Sequence, residues 1–407
     1  MIHIKDVLTL DGTQVDHFVA SRIDQEIDGR GLLLMPALID PHVHFRTPGL
    51  EHKEDWAHAA RAAISGGITT VFDMPNTLPA SISVNRLKEK KEIIDQALKA
   101  ADIPLNYKLY LGADKTHFEQ ISEAKEQACA LKIFMGSSTG DLVMDDESSL
   151  HAAFSLAAAH NMIVAVHAED EALIHTRQNA YLGPNTPLAH SIIRNREVAY
   201  RATEKAIHLA RLYKTRLYLL HISTKEEMQL IKSAKQDGVA VFAEVTPHHL
   251  FLTQDDYATH GTHVQMNPPL RTQDDCDALF AAIHEGIVDT IGSDHAPHTQ
   301  LEKNQPYGKA PSGIPGVETT LPLLLNAHHE GKITLKQIVS LMRTRIETIF
   351  NLIPTDDWVL VDLKKRQKPE RLHTKCDFSP YSDRELQGFP VTTILKGRAY
   401  DLASLLP

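Results

Sequence analysis

The sequence predicts an α/β fold, a (β/α)8 TIM-type barrel flanked by a small β-sandwich that the N- and C-terminal segments form together. Between residues 32 and 350, eight apolar runs of strand length alternate with helical stretches, the rhythm of βα units that close into a parallel barrel. Most of these runs end in a polar residue able to do chemistry, and barrels collect their sites at the C-terminal ends of the strands. Outside that span the chain reads as short β-like pieces. Residues 1–31 and 351–407 are therefore expected to meet in one discontinuous domain beside the barrel of residues 32–350.

The N-terminal segment offers Ile2-His3-Ile4 and Val15-Asp16-His17-Phe18-Val19, separated by the Asp11-Gly12 turn signal. The run from Leu32 to Ile39 then reads as one buried strand leading into Asp40-Pro41-His42-Val43-His44-Phe45-Arg46. The eight strand candidates end at His44, Asn76, Gly112, Lys132, His167, His221, His248 and Asp294. Helical stretches fall at 56–65, 84–101, 147–160, 194–213, 225–237 and 273–284, with another of helical character around 119–128. The helical rhythm stops near Phe350. Strands resume at Trp358-Val359-Leu360-Val361 and Val391-Thr392-Thr393-Ile394-Leu395, and the basic run Lys364-Lys365-Arg366 between them reads as a solvated face.

A chain of 407 residues can bury one large core plus an accessory domain. Its 43% hydrophobic and 23% charged fractions are those of a water-soluble globular protein. The net charge of -10 argues against nucleic acid or an anionic membrane surface as the main partner. Cys129, Cys276 and Cys376 are odd in number and far apart, so they imply neither a disulfide framework nor a cysteine zinc motif. They fit a reducing compartment. With no signal peptide and no spanning apolar stretch, the expected location is the cytoplasm.

On a strand, residues i and i+2 share a side, so His42 and His44 can grip one metal ion. Alone, a His-x-His is equally the polar end of a strand. Other strand ends supply His167, His221 and Asp294, and four histidines with one aspartate make a two-metal constellation. Neutral imidazole and carboxylate suit Zn2+ well, although Mn2+ or Co2+ accepts similar ligands. Lys132 is the odd member, since an ammonium repels metal cations and a lysine in an apolar strand ordinarily snorkels or pairs. Its amine could instead react with carbon dioxide to give a carbamate, an anion with two oxygens that could bridge two metals.

Five stretches together resemble the amidohydrolase superfamily and, within it, the class I dihydroorotases. They are Ile39-Asp40-Pro41-His42-Val43-His44-Phe45-Arg46, Phe72-Asp73-Met74-Pro75-Asn76-Thr77, Met266-Asn267-Pro268-Pro269-Leu270-Arg271, Gly292-Ser293-Asp294-His295-Ala296-Pro297-His298 and Pro311-Ser312-Gly313-Ile314-Pro315-Gly316-Val317-Glu318-Thr319. Leu131-Lys132-Ile133-Phe134-Met135-Gly136-Ser137-Ser138-Thr139-Gly140 looks like the branch whose bridging ligand is a carboxylated lysine; other class I members have aspartate there. The chain departs from the family in its short N-terminal segment and in Pro36-Ala37, where Pro-Gly is common.

The resemblance implies two Zn2+ per subunit. One would be held by His42, His44, Asp294 and carboxylated Lys132, the other by the same carbamate with His167 and His221. It implies a hydroxide bridging the metals and Asp294 as the catalytic proton shuttle. The implied reaction is the reversible cyclisation of N-carbamoyl-L-aspartate to L-dihydroorotate with loss of water, a step of pyrimidine biosynthesis. A homodimer is the expected assembly.

For the substrate, Arg46 can hold a carboxylate through two parallel hydrogen bonds. Asn76 and Asn267 offer donors and acceptors, though each lies beside proline and could equally be a turn residue. His298 can donate to the same carboxylate, and backbone groups near Pro311 and Gly313 can meet the ring amides. The polar stretch 299–312 reads as a mobile loop over the site, and His248 and His295 as supporting rather than ligating residues. Two rivals stay open. A hydantoinase or allantoinase would share the metal site without requiring Arg46, Asn76 and Asn267. A non-catalytic scaffold relative would be expected to have lost ligands.

Overall fold

In the computed structural model, which describes residues 1–137 and 142–405, the barrel closes around eight strands among the described residues. In order these are Leu38–Val43, Ile68–Asp73, Asn106–Leu109 continued by Leu111–Gly112, Leu131–Phe134, Ile163–His167, Arg216–Leu219, Val241–Val245 and Thr290–Ile291. Neighbours pair in parallel, and Val43 meets His295 to shut the ring. Almost every strand residue is buried, which is why the strands read as continuous apolar runs rather than alternating ones. Ser138, Thr139 and Gly140 of the fourth-strand motif lie outside the described residues.

The helices begin where side chains can cap them. Asp55 accepts from the Ala57 and His58 amides to open Trp56–Ser65, and Ser83 accepts from Arg86 to open Val84–Ala101. Thr224 and Glu227 form a reciprocal capping box at Lys225–Gln236. The stretch expected at 194–213 is two helices, Leu188–Ile193 and Arg196–Tyr213. They break because the Asn195 side chain caps Val198 and the Arg194 guanidinium turns inward to Glu169. The stretch around 119–128 keeps a helix only over Glu119–Glu123. Helices Glu171–Ala180 and Thr320–His329, absent from the sequence reading, follow the fifth and eighth strands.

The run from Leu32 to Ile39 is not one strand. Leu33–Pro36 pairs with Trp358–Gln367 and with Ile2–Leu8, whereas Leu38–Val43 joins the barrel. Pro36 has no N–H to extend the ladder, and the chain changes sheets there. The Ala37 amide donates to Asp357 O, and Arg343 Nη1 donates to Ala37 O at 2.6 Å.

The two chain ends form one curled, sandwich-like sheet of seven strands among the described residues. It runs Arg398–Asp401, Leu386–Leu395, Trp358–Gln367, Leu33–Pro36, Ile2–Leu8 and Gln14–Val19, with Gln25–Asp28 also on Ile2–Leu8. Its two faces bury different neighbours. Leu360 packs with Ile2, Ile4, Val7, Leu34 and Ile394 inside the curl, while the alternate residues Val359 and Val361 join the barrel core. No helix among the described residues is long and apolar enough to cross a membrane.

Candidate active site

At the C-terminal mouth, Nε2 of His42 and Nε2 of His44 both face Asp294 Oδ1, at 3.2 and 3.1 Å. The other ring nitrogens are committed. His42 Nδ1 donates to Glu244 Oε1 at 2.7 Å, and His44 Nδ1 donates to Asn76 Oδ1 at 2.8 Å. Burial pushes His42 down to about 3 and His44 well below the usual imidazole range, so both rings are neutral. Each Nε2 therefore presents a lone pair toward a carboxylate oxygen. Lone pairs opposed at this distance repel unless a cation lies among them, so these residues fit a metal ion.

The remaining imidazoles adjoin this trio. The His221 ring lies tilted 5.4 Å from that of His42, and the His167 ring meets His221 edge-on at 4.8 Å, centroid to centroid. His167 Nδ1 and His221 Nε2 lie 2.9 Å apart, a second pair of buried ring nitrogens facing each other. The His221 Nδ1 atom is buried without a hydrogen-bond partner among the described residues. Lys132 is 1% exposed, its ammonium 4.5 Å from the Phe134 ring centre, and no hydrogen-bond acceptor meets it among the described residues. Burial pushes Lys132 down to about 7, so a neutral amine is accessible near neutral pH.

Backbone geometry at the mouth is unusual. Arg46, His221 and Asp294 all have left-handed φ, at 64°, 39° and 46°, which non-glycine residues adopt at a cost of order 1–3 kcal/mol each. Surrounding bonds hold them there. Asp40 Oδ1 accepts from the His42 and Ser293 amides, tying the first strand to the eighth, and the His44 amide donates to His295 O at 2.7 Å. Asp73 Oδ1 accepts from the Phe45 amide, while its Oδ2 lies 2.6 Å from the buried Lys90 ammonium.

The residues expected at the substrate fall into three places. Arg46 is buried beside the metal trio. Its Nε donates to Pro297 O at 3.0 Å, and its Nη2 lies 3.1 Å from His298 Nε2. Asn76 orients His44 through its carboxamide oxygen. Asn267 belongs to another network, where its oxygen accepts from His190 Nε2 at 2.8 Å and leaves the amide nitrogen to donate. Pro311 O accepts from Lys303 Nζ, and the Gly313 amide donates to Gln265 O. Gly313 has φ +153°, and a Cβ there would lie 2.2 Å from Ala296 O and 2.6 Å from the His298 ring, so only glycine fits.

The stretch 299–312 is anchored rather than loose. Thr299 and Glu302 form a capping box on Gln300–Lys303, Lys53 pairs with Glu302 at 2.9 Å, and Thr262 Oγ1 donates to Lys303 O. His295 takes a supporting place, its Nδ1 accepting from the Gly316 amide at 3.1 Å.

Sequence reasoning missed Glu244. It sits inside the seventh strand, fully buried, and accepts from His42 Nδ1, Tyr218 Oη and the His221 amide. A Cβ on Gly292 would come within 2.5 Å of its Oε2, so the glycine of Gly292-Ser293-Asp294 makes room for it. An ionisable residue inside an apolar strand was the available signal. Removing a carboxylate that orients a metal-binding histidine typically costs 10–100-fold in metal affinity. Glu244→Ala is therefore expected to release metal to a chelator at roughly 10–100-fold lower chelator concentration than the parent, and Glu244→Gln, which keeps an acceptor, at an intermediate one.

The amidohydrolase family model matches residues 33–344. The dihydroorotase of Halobacterium salinarum is 34% identical over 408 residues, which cover 97% of this chain and 92% of that protein. The dihydroorotase of Staphylococcus epidermidis strain RP62A is 34% identical, covering 97% and 95%, and that of Methanosphaera stadtmanae 35% identical, covering 90% and 84%. Among solved structures, the L-hydantoinase (dihydropyrimidinase) of Arthrobacter aurescens superposes with a TM-score of 0.92 at 26% identity, covering 100% of this chain and 97% of that one.

Proposed function

The chain belongs to the amidohydrolase family and, within it, to the dihydroorotases, and from that membership and the geometry of its site we infer how it works. It is an enzyme that hydrolyses a cyclic amide and closes the same ring in reverse. Its reaction interconverts N-carbamoyl-L-aspartate and L-dihydroorotate, the ring-closing step of pyrimidine biosynthesis. The observation that carries the substrate is Arg46, a buried guanidinium beside the metal trio with His298 against it. A cyclic amide without a carboxylate has no use for that pair.

His42, His44 and Asp294 would hold one Zn2+, His167 and His221 a second, and Lys132, carboxylated by carbon dioxide, would join both. The opposed lone pairs at Asp294, the paired nitrogens of His167 and His221, and the buried Lys132 with its lowered affinity for a proton support this arrangement. Such ions supply a Lewis acid and lower the pKa of the attacking water. In hydrolysis Asp294 takes a proton from that water on its carboxylate and hands it to the departing ring nitrogen; in cyclisation the transfers reverse. Arg46 and His298 hold the substrate carboxylate and so orient the ring, with Asn267 donating to it from the His190 side and Pro311 and Gly313 shaping the wall behind His298. Asn76 acts through His44, whose Nε2 it aims at the metal.

The hydantoinase structure that superposes so closely favours a second reading, a hydantoin-type ring on the same metal site. Arg46 separates the two. Arg46→Ala should lower kcat/KM for dihydroorotate by roughly 2–4 kcal/mol, the scale of removing a buried charged partner. Arg46→Lys keeps the charge without the fork and should lose less. Metal content should be unchanged in both. If Arg46→Ala turns over dihydroorotate as fast as the parent, the substrate assignment fails while the metal site stands.

A further inference from the structure

Apart from the groups that fit a metal, four basic side chains among the described residues converge at the rim of the site. Arg46, Lys53, His298 and Lys303 are all buried. The first two follow the first strand, His298 follows the eighth, and Lys303 ends the helix Gln300–Lys303. Lys303 Nζ donates to Pro311 O at 2.9 Å and Gln265 O at 3.3 Å. Two of these cations touch the imidazole, Lys53 with Nζ 3.0 Å from His298 Nδ1 and Arg46 with Nη2 3.1 Å from its Nε2.

Ammonium and guanidinium only donate, and the neutral ring has one proton, so one of these two contacts sets donor against donor; the Ser312 carbonyl beside Nε2 decides which. With Nδ1 accepting from Lys53, the proton lies on Nε2 and is donated to Ser312 O at 3.0 Å. The other tautomer would aim an N–H at the ammonium and leave the Ser312 carbonyl facing a lone pair. In the favoured tautomer Nε2–H also lies 3.1 Å from Arg46 Nη2, donor beside donor. An anionic oxygen that accepts from both, taking the place of Ser312 O on the single Nε2–H, completes such a pair.

We propose that Lys53 is a positioning residue that holds His298 in the Nε2–H tautomer, so that His298 and Arg46 form a two-donor fork for the substrate carboxylate. The role in substrate binding rests on the dihydroorotate reading; the tautomer itself does not. Among the described residues, the charged groups facing His298 are Arg46, Lys53 and Lys303 against one carboxylate, Glu302, whose Oε2 is 3.9 Å from Nδ1. Burial and these cations keep the ring neutral. A neutral imidazole has a single proton to place, so its tautomer determines which side donates.

Nitrogen-15 NMR of the histidine-labelled, Zn2+-loaded enzyme tests this, with His298→Gln used to identify the His298 ring signals. The wild type without substrate is expected to show Nε2–H; an Nδ1–H ring overturns the proposal without recourse to any Lys53 variant. Lys53→Met is expected to shift the ring toward Nδ1–H. It should also raise KM for dihydroorotate about tenfold with kcat held within about threefold, the scale of one charge-assisted hydrogen bond. Inhibition by dihydrouracil, which lacks the carboxylate, should be unaffected, and Lys53→Arg should restore both tautomer and KM. A Lys53→Met enzyme with unchanged tautomer and KM overturns the proposal. If the wild type does not turn over dihydroorotate at all, the substrate reading fails, and the substrate-free tautomer still decides what Lys53 does.

Discussion

Replacing Lys132 by alanine is expected to strip the enzyme of bound metal and of activity together. Lys132 lies fully buried in the fourth strand, beside the His42, His44 and Asp294 trio, with no acceptor for its ammonium among the described residues. A bare ammonium there would repel the ion that the trio fits. Carboxylation converts the same side chain into an anion, and burial makes the reactive neutral amine available by drawing the pKa down to about 7. A bound metal supplies several kcal/mol of charge stabilisation, so its loss should cost roughly 10³-fold or more in turnover. Metal analysis and assay of Lys132→Ala, repeated with a small carboxylic acid in solution, check this. The acid should restore part of both properties. Full metal content with near-normal turnover in the alanine variant would rule out the bridge.

Asp294→Asn should leave metal binding largely intact and remove proton transfer. Asp294 Oδ1 faces the Nε2 atoms of both His42 and His44. An asparagine oxygen can take that place, because the size and the acceptor are retained, but an amide cannot shuttle a proton. Turnover is expected to fall on the order of 100-fold or more, the scale of general acid–base catalysis. The limb of the pH–rate profile that reports the base should vanish. An active asparagine variant with the parent's profile would show that another group moves the proton.

Much of this architecture was legible from local signals. Helices 84–101 and 273–284 have the predicted ends because their caps, Ser83 and Thr272, are written beside them. The third and fifth strands end at Gly112 and His167, as expected, while His44, Asn76, His221, His248 and Asp294 lie just beyond their strands. His44, Asn76, His221 and Asp294 sit on short irregular segments, which allow the left-handed φ of His221 and Asp294, whereas His248 lies in the short helix Pro247–Phe251.

What could not be read depends on partners distant in the chain. Glu244 meets His42 across 202 residues, and nothing local marks the pairing. Asn76 was visible as a polar strand-end residue, but not the His44 ring it orients. The change of sheets at Pro36 needs the C-terminal strand Trp358–Gln367 to be in place. The polar composition of 299–312 suggested mobility, whereas buried Lys303 and the Lys53–Glu302 pair pin it. Composition describes a segment's solubility; burial of a few side chains decides its order.

Arg46 and His298 beside the His42, His44 and Asp294 trio would suit the site to a carboxylate-bearing ring. The most direct test measures kcat/KM for L-dihydroorotate, hydantoin and allantoin side by side on the purified, metal-replete enzyme. A site whose buried Arg46 and His298 are satisfied by the substrate carboxylate should prefer dihydroorotate by on the order of 10²-fold or more. Faster turnover of hydantoin or allantoin, or none of dihydroorotate, would contradict the account.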